Sequence, residues 1–339
     1  MKHLLSITDE RRKLIFTQTA AQLNLAEIAV EKDFWVCWTL AKLFSLAPGQ
    51  HLTFKGGTSL SKAWKLIERF SEDIDITIHR DALGFGGDNA PHAAPSKTQR
   101  KKRLDDLKAV CERYIAETLF PQLHAAILAD LPAEGSWSLQ PDPDDSQTLL
   151  FAYPSVFPTK AEYLHRSVRI EMGGRADVEP AAEVVIKPYV AEVFPKVLPD
   201  AGVVVRALLP VRTFWEKAML LHEESFRPVG KKRATSLARH YYDLYRMILA
   251  GVADADVADR ELFAAIAAQR ETYFHYTWVD YTTYQRGRLR LVPEAEQQRE
   301  WQADYDRMKD EMFFGVVPDF AEIIDQVRRF QDRFNGKAD

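Results

Sequence analysis

The stretch FKGGTSLSKAWKLIERFSEDIDITI, residues 54–78, constrains this chain more than any other. A short apolar run (Leu52, Phe54) meets a double glycine and two hydroxyl residues, Gly56-Gly57-Thr58-Ser59. Leu60, Ala63, Trp64, Ile67 and Phe70 then recur at three- and four-residue steps, which predicts one helix across them. From Asp73 to Ile78, carboxylate or hydroxyl alternates strictly with isoleucine, the period of a half-buried strand. The isoleucines take one face, so Asp73 and Asp75 share the other.

Turn, helix and acid-bearing strand, in that order, suit a particular chemistry. Glycines permit a tight turn and let the backbone approach a ligand closely. Thr58 or Ser59 is placed to cap the helix, whose free N–H groups and positive dipole end attract a phosphate. Two adjacent carboxylates repel unless one is protonated or a cation lies between them. Oxygen-only donors beside a phosphate site favour a hard cation, Mg2+ or Mn2+ in its place, held by Asp73 and Asp75.

These residues resemble the signature of the nucleotidyltransferase superfamily that includes DNA polymerase β, a Gly-Gly or Gly-Ser turn followed by Asp-x-Asp on a strand. FKGGTSLSKAW and RFSEDIDI resemble more closely the AbiEii/AbiGii toxin family, the toxin half of two-gene toxin–antitoxin and phage-defence (abortive-infection) systems. The resemblance implies an α+β fold, a mixed-sheet polymerase β-like core with a helical C-terminal domain completing an active-site cleft. It also implies transfer of NMP from an NTP to an acceptor, most readily the 3′ end of a tRNA, under the control of a cognate antitoxin encoded next door. The antitoxin would act by transcriptional repression or by phosphorylating Thr58 or Ser59. NMP transfer to a protein hydroxyl, or a non-catalytic nucleotide- or RNA-binding module, are the alternatives.

Further site residues follow from the same resemblance. TFWEKAMLLHEE matches the family's lysine motif at Lys217, and RHYYDLYRM its late aspartate motif at Asp243. Lys217 also sits at the border of an apolar helix face, where a charge without a purpose is awkward. Asp243 would orient Lys217 or act as a base. Superfamily members need a further acid from a neighbouring strand, and Glu171, on the polar face of the strand Ser167–Met172, is the candidate. Gly56, Gly57, Thr58, Ser59 and Lys217 are assigned to the triphosphate.

The chain's 339 residues suffice for two domains with substantial cores. Strand-like segments end near Pro210 and helical ones follow, predicting a core over 1–210 with N-terminal helices and a helical domain over 211–339. Within the first, Gly84–Arg103 reads as a surface loop, Leu104–Leu131 as a helix kinked at Pro121, Pro132–Ser146 as a loop, and Val184–Val193 as a strand. A net charge of −4 excludes a global basic field, so RNA binding would fall to the basic stretches Lys97–Arg103 and Arg227–Arg239, with aromatics between Tyr273 and Tyr284 for base stacking. The run Glu31-Lys32-Asp33 reads as a solvated charged turn of a packed helix. No segment suits a signal peptide or a membrane span, and Cys37 and Cys111 read as reduced core residues of a cytoplasmic protein.

Overall fold

The structure is a computed structural model that describes residues 1–71, 73–131, 137–157, 166–228, 230–252, 254, 260–313 and 315–336. The chain forms two compact units, Met1–Ala63 with Phe70–Leu208, and Trp64–Arg69 with Leu209–Asp339. The first unit opens with helices α1 (Lys2–Ser6), α2 (Asp9–Leu23) and α3 (Glu27–Ser45), then β1 (Leu52–Lys55), α4 (Gly56–Lys62) and β2 (Ile74–Ile78). Helix α5 (Lys97–Tyr114) runs through a π turn at Ile115–Leu119 into α6 (Phe120–Leu128), followed by β3 (Ser138–Asp142), β4 (Asp145–Ala152), β5 (Ser167–Gly173), β6 (Ala181–Ile186), α7 (Tyr189–Val193) and β7 (Val203–Leu208). Among the described residues the strands form one seven-stranded sheet in the order β3-β4-β5-β2-β1-β7-β6. β2 runs antiparallel to β1 and parallel to β5, so the sheet is mixed and the fold is α+β, as expected.

Aromatic packing seats α3 on the sheet. Trp35 stacks on Tyr153 and Trp38 on Phe151, while Phe34 is fully buried. The run Glu31-Lys32-Asp33 is not solvated: all three side chains are buried on α3. Glu31 accepts hydrogen bonds from Ser155 Oγ and the Val156 amide, and Asp33 from the Tyr189 amide. Asp33 also pairs with Lys62 at the end of α4, 2.6 Å away, and the Lys62 ammonium lies 3.7 Å from the Tyr189 ring centroid. Charges that the sequence pattern assigned to water are thus internal bolts, each meeting a partner that compensates its desolvation.

Four expectations need correction. The helix after the glycines stops at Lys62, because Lys65 takes a left-handed conformation (φ 54°) and the backbone beyond it finds non-helical partners. Glu68 donates its amide to Tyr242 Oη, and Arg69 forms a β-bridge with Phe313. Lys97–Arg103 is not a loop but the first turns of α5, begun one residue earlier when Ser96 Oγ accepts from the Gln99 amide. Of the stretch read as the loop Pro132–Ser146, residues 138–142 pair with β4 as β3, while 132–136 lie outside the described residues. The strand predicted over Val184–Val193 ends at Ile186, and Pro188 starts the short helix α7.

The second unit is helical: α8 (Pro210–Ser225), α9 (Arg239–Leu249), α10 (Arg260–Tyr273), α11 (Ala295–Met312) and α12 (Phe320–Asn335). α8 packs on α9 and α10, and α9 on α12. Phe214, Trp215, Phe263 and Phe330 interlock edge to face at its centre, and Phe334 packs tilted on Trp215. Buried His222 of α8 is fixed as one tautomer: its Nδ1 accepts from the Arg290 amide (2.9 Å), so Nε2 carries the proton toward Thr283 Oγ1 (2.8 Å).

Burial pushes the His222 pKa down from 6.5 to about 4. A proton taken up by the unfolded chain below its pKa is therefore refused by the folded one, and stability falls as pH drops from 6.5 toward 4. By linkage this one residue contributes about 3 kcal/mol to that acid loss. Urea unfolding across this range should show the slope, and His222→Asn, which keeps an acceptor for the Arg290 amide, should flatten it.

Candidate active site

Asp73 stands immediately before β2, and Asp75 is its second residue. Ile74, Ile76 and Ile78 are buried, so the two carboxylates lie on the other face, half-buried as the alternation required. Register sets Asp75 opposite Lys55 of β1 on one side and Glu171 of β5 on the other. Gly56 has a φ of +77°, and a Cβ built on it would lie 1.9 Å from Asp75 Oδ2. The Asp75 carboxylate therefore rests on the glycine turn, in the space a side chain at position 56 would fill.

Thr58 and Ser59 serve differently from the expectation. Neither caps α4, whose N-cap is Lys55 without a side-chain bond. Thr58 Oγ1 donates to the Asp73 carbonyl (2.6 Å) and shares a hydrogen bond with Ser71 Oγ (2.9 Å). Its hydroxyl ties the helix to the backbone of the acid segment. Ser59 Oγ is buried with no hydrogen-bond partner among the described residues. With Thr58 1% and Ser59 2% exposed, a phosphorylating antitoxin would reach neither without opening the turn.

Glu171 shares a register position with Asp75, yet its carboxylate accepts from Arg169 Nε (2.7 Å), and Arg169 also bonds Asp142. Among the described residues no three His, Cys, Asp or Glu side chains gather as a ready metal cage. The donors present, two carboxylates beside a glycine turn and an orphaned hydroxyl, fit Mg2+, which takes one or two carboxylates together with substrate phosphates. Asp73 and Asp75 are the residues that would hold it.

Lys217 and Asp243 meet in the helical unit. Lys217 Nζ of α8 lies 2.9 Å from Asp243 Oδ2 of α9, and both side chains are buried. Arg69, which sequence reasoning left unassigned within RFSEDIDI, grips the same carboxylate with both arms: Nε to Oδ1 at 2.7 Å and Nη2 to Oδ2 at 2.8 Å. His240 Nδ1 lies 3.3 Å from Lys217 Nζ. Burial favours a protonated Asp243, but Arg69 and then Lys217 outweigh it and hold the carboxyl well below the usual range. A carboxylate so held is a poor base, and orienting the two cations is the role its surroundings suit.

Burial, the largest influence, also lowers the Lys217 pKa, with Asp243 opposing and Arg69 reinforcing the shift. Burial and then Lys217 and Arg239 push His240 far below its ordinary value, so its ring is neutral and Nδ1 accepts from the ammonium. Arg69 and Lys217 thus share the Asp243 carboxylate in a dry setting.

The other candidates divide. In the second basic stretch, Arg227 and Arg233 are tied to Glu224, and Arg233 also to Glu300, so much of its charge is neutralised internally. Among the aromatics, Tyr273 is buried and Tyr284 donates to Glu223 (2.5 Å), whereas Tyr276 and Trp278 stack near the surface under Lys231. Arg69 was legible only as a basic residue four positions before the first aspartate; its partner is 174 residues away.

The class these features define is a nucleotidyltransferase. A family model described as nucleotidyl transferase AbiEii toxin, type IV toxin–antitoxin system, matches residues 38–331. The chain belongs to this family of nucleotidyltransferase toxins, whose type IV systems pair each toxin with an antitoxin and whose substrate is an NTP. No curated relative matches the chain. Among solved structures it is similar to MenT4, a nucleotidyltransferase toxin from Mycobacterium tuberculosis H37Rv, with 16% identity over 94% of this chain and 99% of that one and a TM-score of 0.38. No helix among the described residues is long and apolar enough to cross a membrane.

Two substitutions test the geometry. Gly56→Ala places a methyl where Asp75 Oδ2 now lies and strains a left-handed backbone. It should cost about 1–2 kcal/mol in urea unfolding while lowering kcat by about 100-fold through the displaced carboxylate. Asp243→Asn leaves Arg69 and Lys217 buried without their counter-ion. Urea unfolding should show a loss of about 3–5 kcal/mol, and in a double-mutant cycle most of that loss should be shared with Arg69→Ala.

Proposed function

We propose that this chain transfers NMP from an NTP to the 3′ end of a tRNA. The acceptor hydroxyl gives its proton to water as its oxygen attacks the α-phosphorus in line, the bond to the bridging oxygen breaks, and pyrophosphate leaves with the displaced electron pair. The Gly56-Gly57 turn admits the triphosphate to close backbone contact, with the amides of Gly57 and Thr58 as donors. Ser59 is assigned to the same phosphate turn, but its hydroxyl is buried and would reach a nucleotide only if the turn opened. Asp73 and Asp75 hold the divalent cation, which when bound neutralises phosphate charge and polarises the reacting centre. Thr58 keeps Asp73 at its distance from the turn through the carbonyl it binds.

Lys217 is proposed to neutralise charge on the β- and γ-phosphates, with Asp243 and Arg69 fixing where its ammonium points. Glu171 is retained as a candidate third acid on register alone, and it would have to leave Arg169 to act. The proposed division is a nucleotidyltransferase core over 1–210 and a helical part over 211–339, acting in the cytoplasm and in phage defence. The observation that carries the reading is Asp75 resting on Gly56, which places an acid against a turn built for phosphate.

A labelled-NTP assay with Mg2+, offered total tRNA beside total protein, separates the acceptors. Label on tRNA supports this function, and label on protein alone replaces it with transfer to a protein hydroxyl. Asp75→Ala should remove the label and relieve the growth arrest caused by expressing the chain without its antitoxin. Arrest that persists in this variant contradicts the mechanism.

A further inference from the structure

Within the helical unit Arg288-Leu289-Arg290-Leu291 follows a turn at Arg286-Gly287, lies outside helices and strands, and alternates in burial. Leu289 and Leu291 are each 1% exposed, whereas Arg288 and Arg290 are exposed. The end of α12 pins this segment. Asn335 Oδ1 accepts from the Gly287 and Leu289 amides (3.1 Å each), and Gln331 Oε1 from those of Leu291 and Val292 (2.6 and 3.0 Å). His222 takes the Arg290 amide. The backbone is therefore a fixed platform, and the two arginines project from it two residues apart.

Beside them is a pocket of about 450 Å³, lined by Arg288 and Arg290 together with Asp280, Thr283, Gln331 and Asn335. Its charges do not cancel. Asp280 accepts from the Thr282 amide (3.0 Å) and hydroxyl (2.7 Å) and its carboxylate also feels Arg288 and Arg290, which leaves two guanidinium groups against one carboxylate. Gln331 spends its carbonyl oxygen on the platform and keeps its NH2 as a donor. Several other arginines of this unit are engaged: Arg227, Arg233 and Arg270 by glutamates, Arg286 by the Phe334 carbonyl. Among the described residues neither the Arg288 nor the Arg290 guanidinium has an ion pair or a hydrogen bond, and Arg290 meets only the Phe226 ring, 5.0 Å from its centroid.

Two planar forks and an amide donor around one polar pocket match an anion with several oxygens, and a tetrahedral phosphate suits them best. We propose that this pocket is a phosphate-binding site, built from residues other than the acid pair and the Lys217 cluster. It takes either a phosphodiester of an RNA strand or a free polyphosphate. The site holds its ligand without chemistry: the Thr283 hydroxyl in its lining donates to the Asp280 carbonyl and faces the protonated Nε2 of His222, so no base activates it. Its existence does not depend on Asp73 and Asp75, so it stands or falls separately from the transfer reaction.

The test uses the full chain with two probes, a fluorescein-labelled single-stranded RNA read by anisotropy and tripolyphosphate read by calorimetry. Arg288→Gln/Arg290→Gln should weaken RNA binding by about tenfold and reduce the salt slope by about 1.4, the share of two phosphate contacts on a single strand. Loss of tripolyphosphate binding alone also supports the site and assigns it to a free polyphosphate. The site is overturned if neither probe responds, or if Arg328→Gln/Arg329→Gln, on the exposed face of α12, weakens binding equally. In the unmutated chain, tripolyphosphate or RNA should shield Arg288 and Arg290 from phenylglyoxal, mapped by peptide mass spectrometry. Equal labelling with and without both probes contradicts the proposal.

Discussion

A missing methyl group governs the arrangement of the catalytic unit. Gly56 lacks the Cβ that would overlap Asp75 Oδ2, so an acid can settle directly on the turn that follows β1. Everything near it serves to keep that placement. β2 is held between β1 and β5 by pairing on both edges, which fixes the face Asp75 occupies, since a slip of one residue would bury the acid and expose the isoleucines. Thr58 fastens the other end, from inside α4 to the carbonyl of Asp73. Helix α4 is in turn fastened by Lys62 to Asp33 of α3. Turn, acids and supporting helix thus form one braced frame, with little freedom for the carboxylate to drift.

Charge burial is the second theme, and the same physics yields two outcomes. Lys62 and Asp33 compensate each other one to one, and the pair is a structural tie. Lys217 and Arg69 share the Asp243 carboxylate, and the neighbouring imidazole is held neutral. Burial pulls the Lys217 pKa down against the opposing pull of Asp243, whereas the Lys62 ammonium beside Asp33 is held above its ordinary value.

Much of the frame was legible because local periodicity carries it. Alternating Ile and Asp announced β2 and the shared face of Asp73 and Asp75, and the strand-like pattern gives way to a helical one near Pro210, where α8 starts. The apolar spacing of Leu60 to Phe70 misled, because those residues belong to two different units and no single helix needs them on one face. Glu31, Lys32 and Asp33 were misread because a charge looks the same in sequence whether water or a partner 124 residues away, as with Ser155, satisfies it. Arg69 and the Arg288–Arg290 platform escaped for the same reason. Their meaning lies in Asp243, Gln331 and Asn335, contacts that no local pattern encodes.

The central claim is that two carboxylates on a glycine turn form a metal site completed by the substrate's own phosphates. Mn2+ binding followed by electron paramagnetic resonance, with and without a non-hydrolysable NTP analogue, tests it most directly. The account predicts weak binding to the protein alone, a marked gain when the analogue is added, and loss of that gain in Asp73→Asn/Asp75→Asn. Mn2+ binding that is equally tight without the nucleotide, or that survives the double substitution, would contradict it.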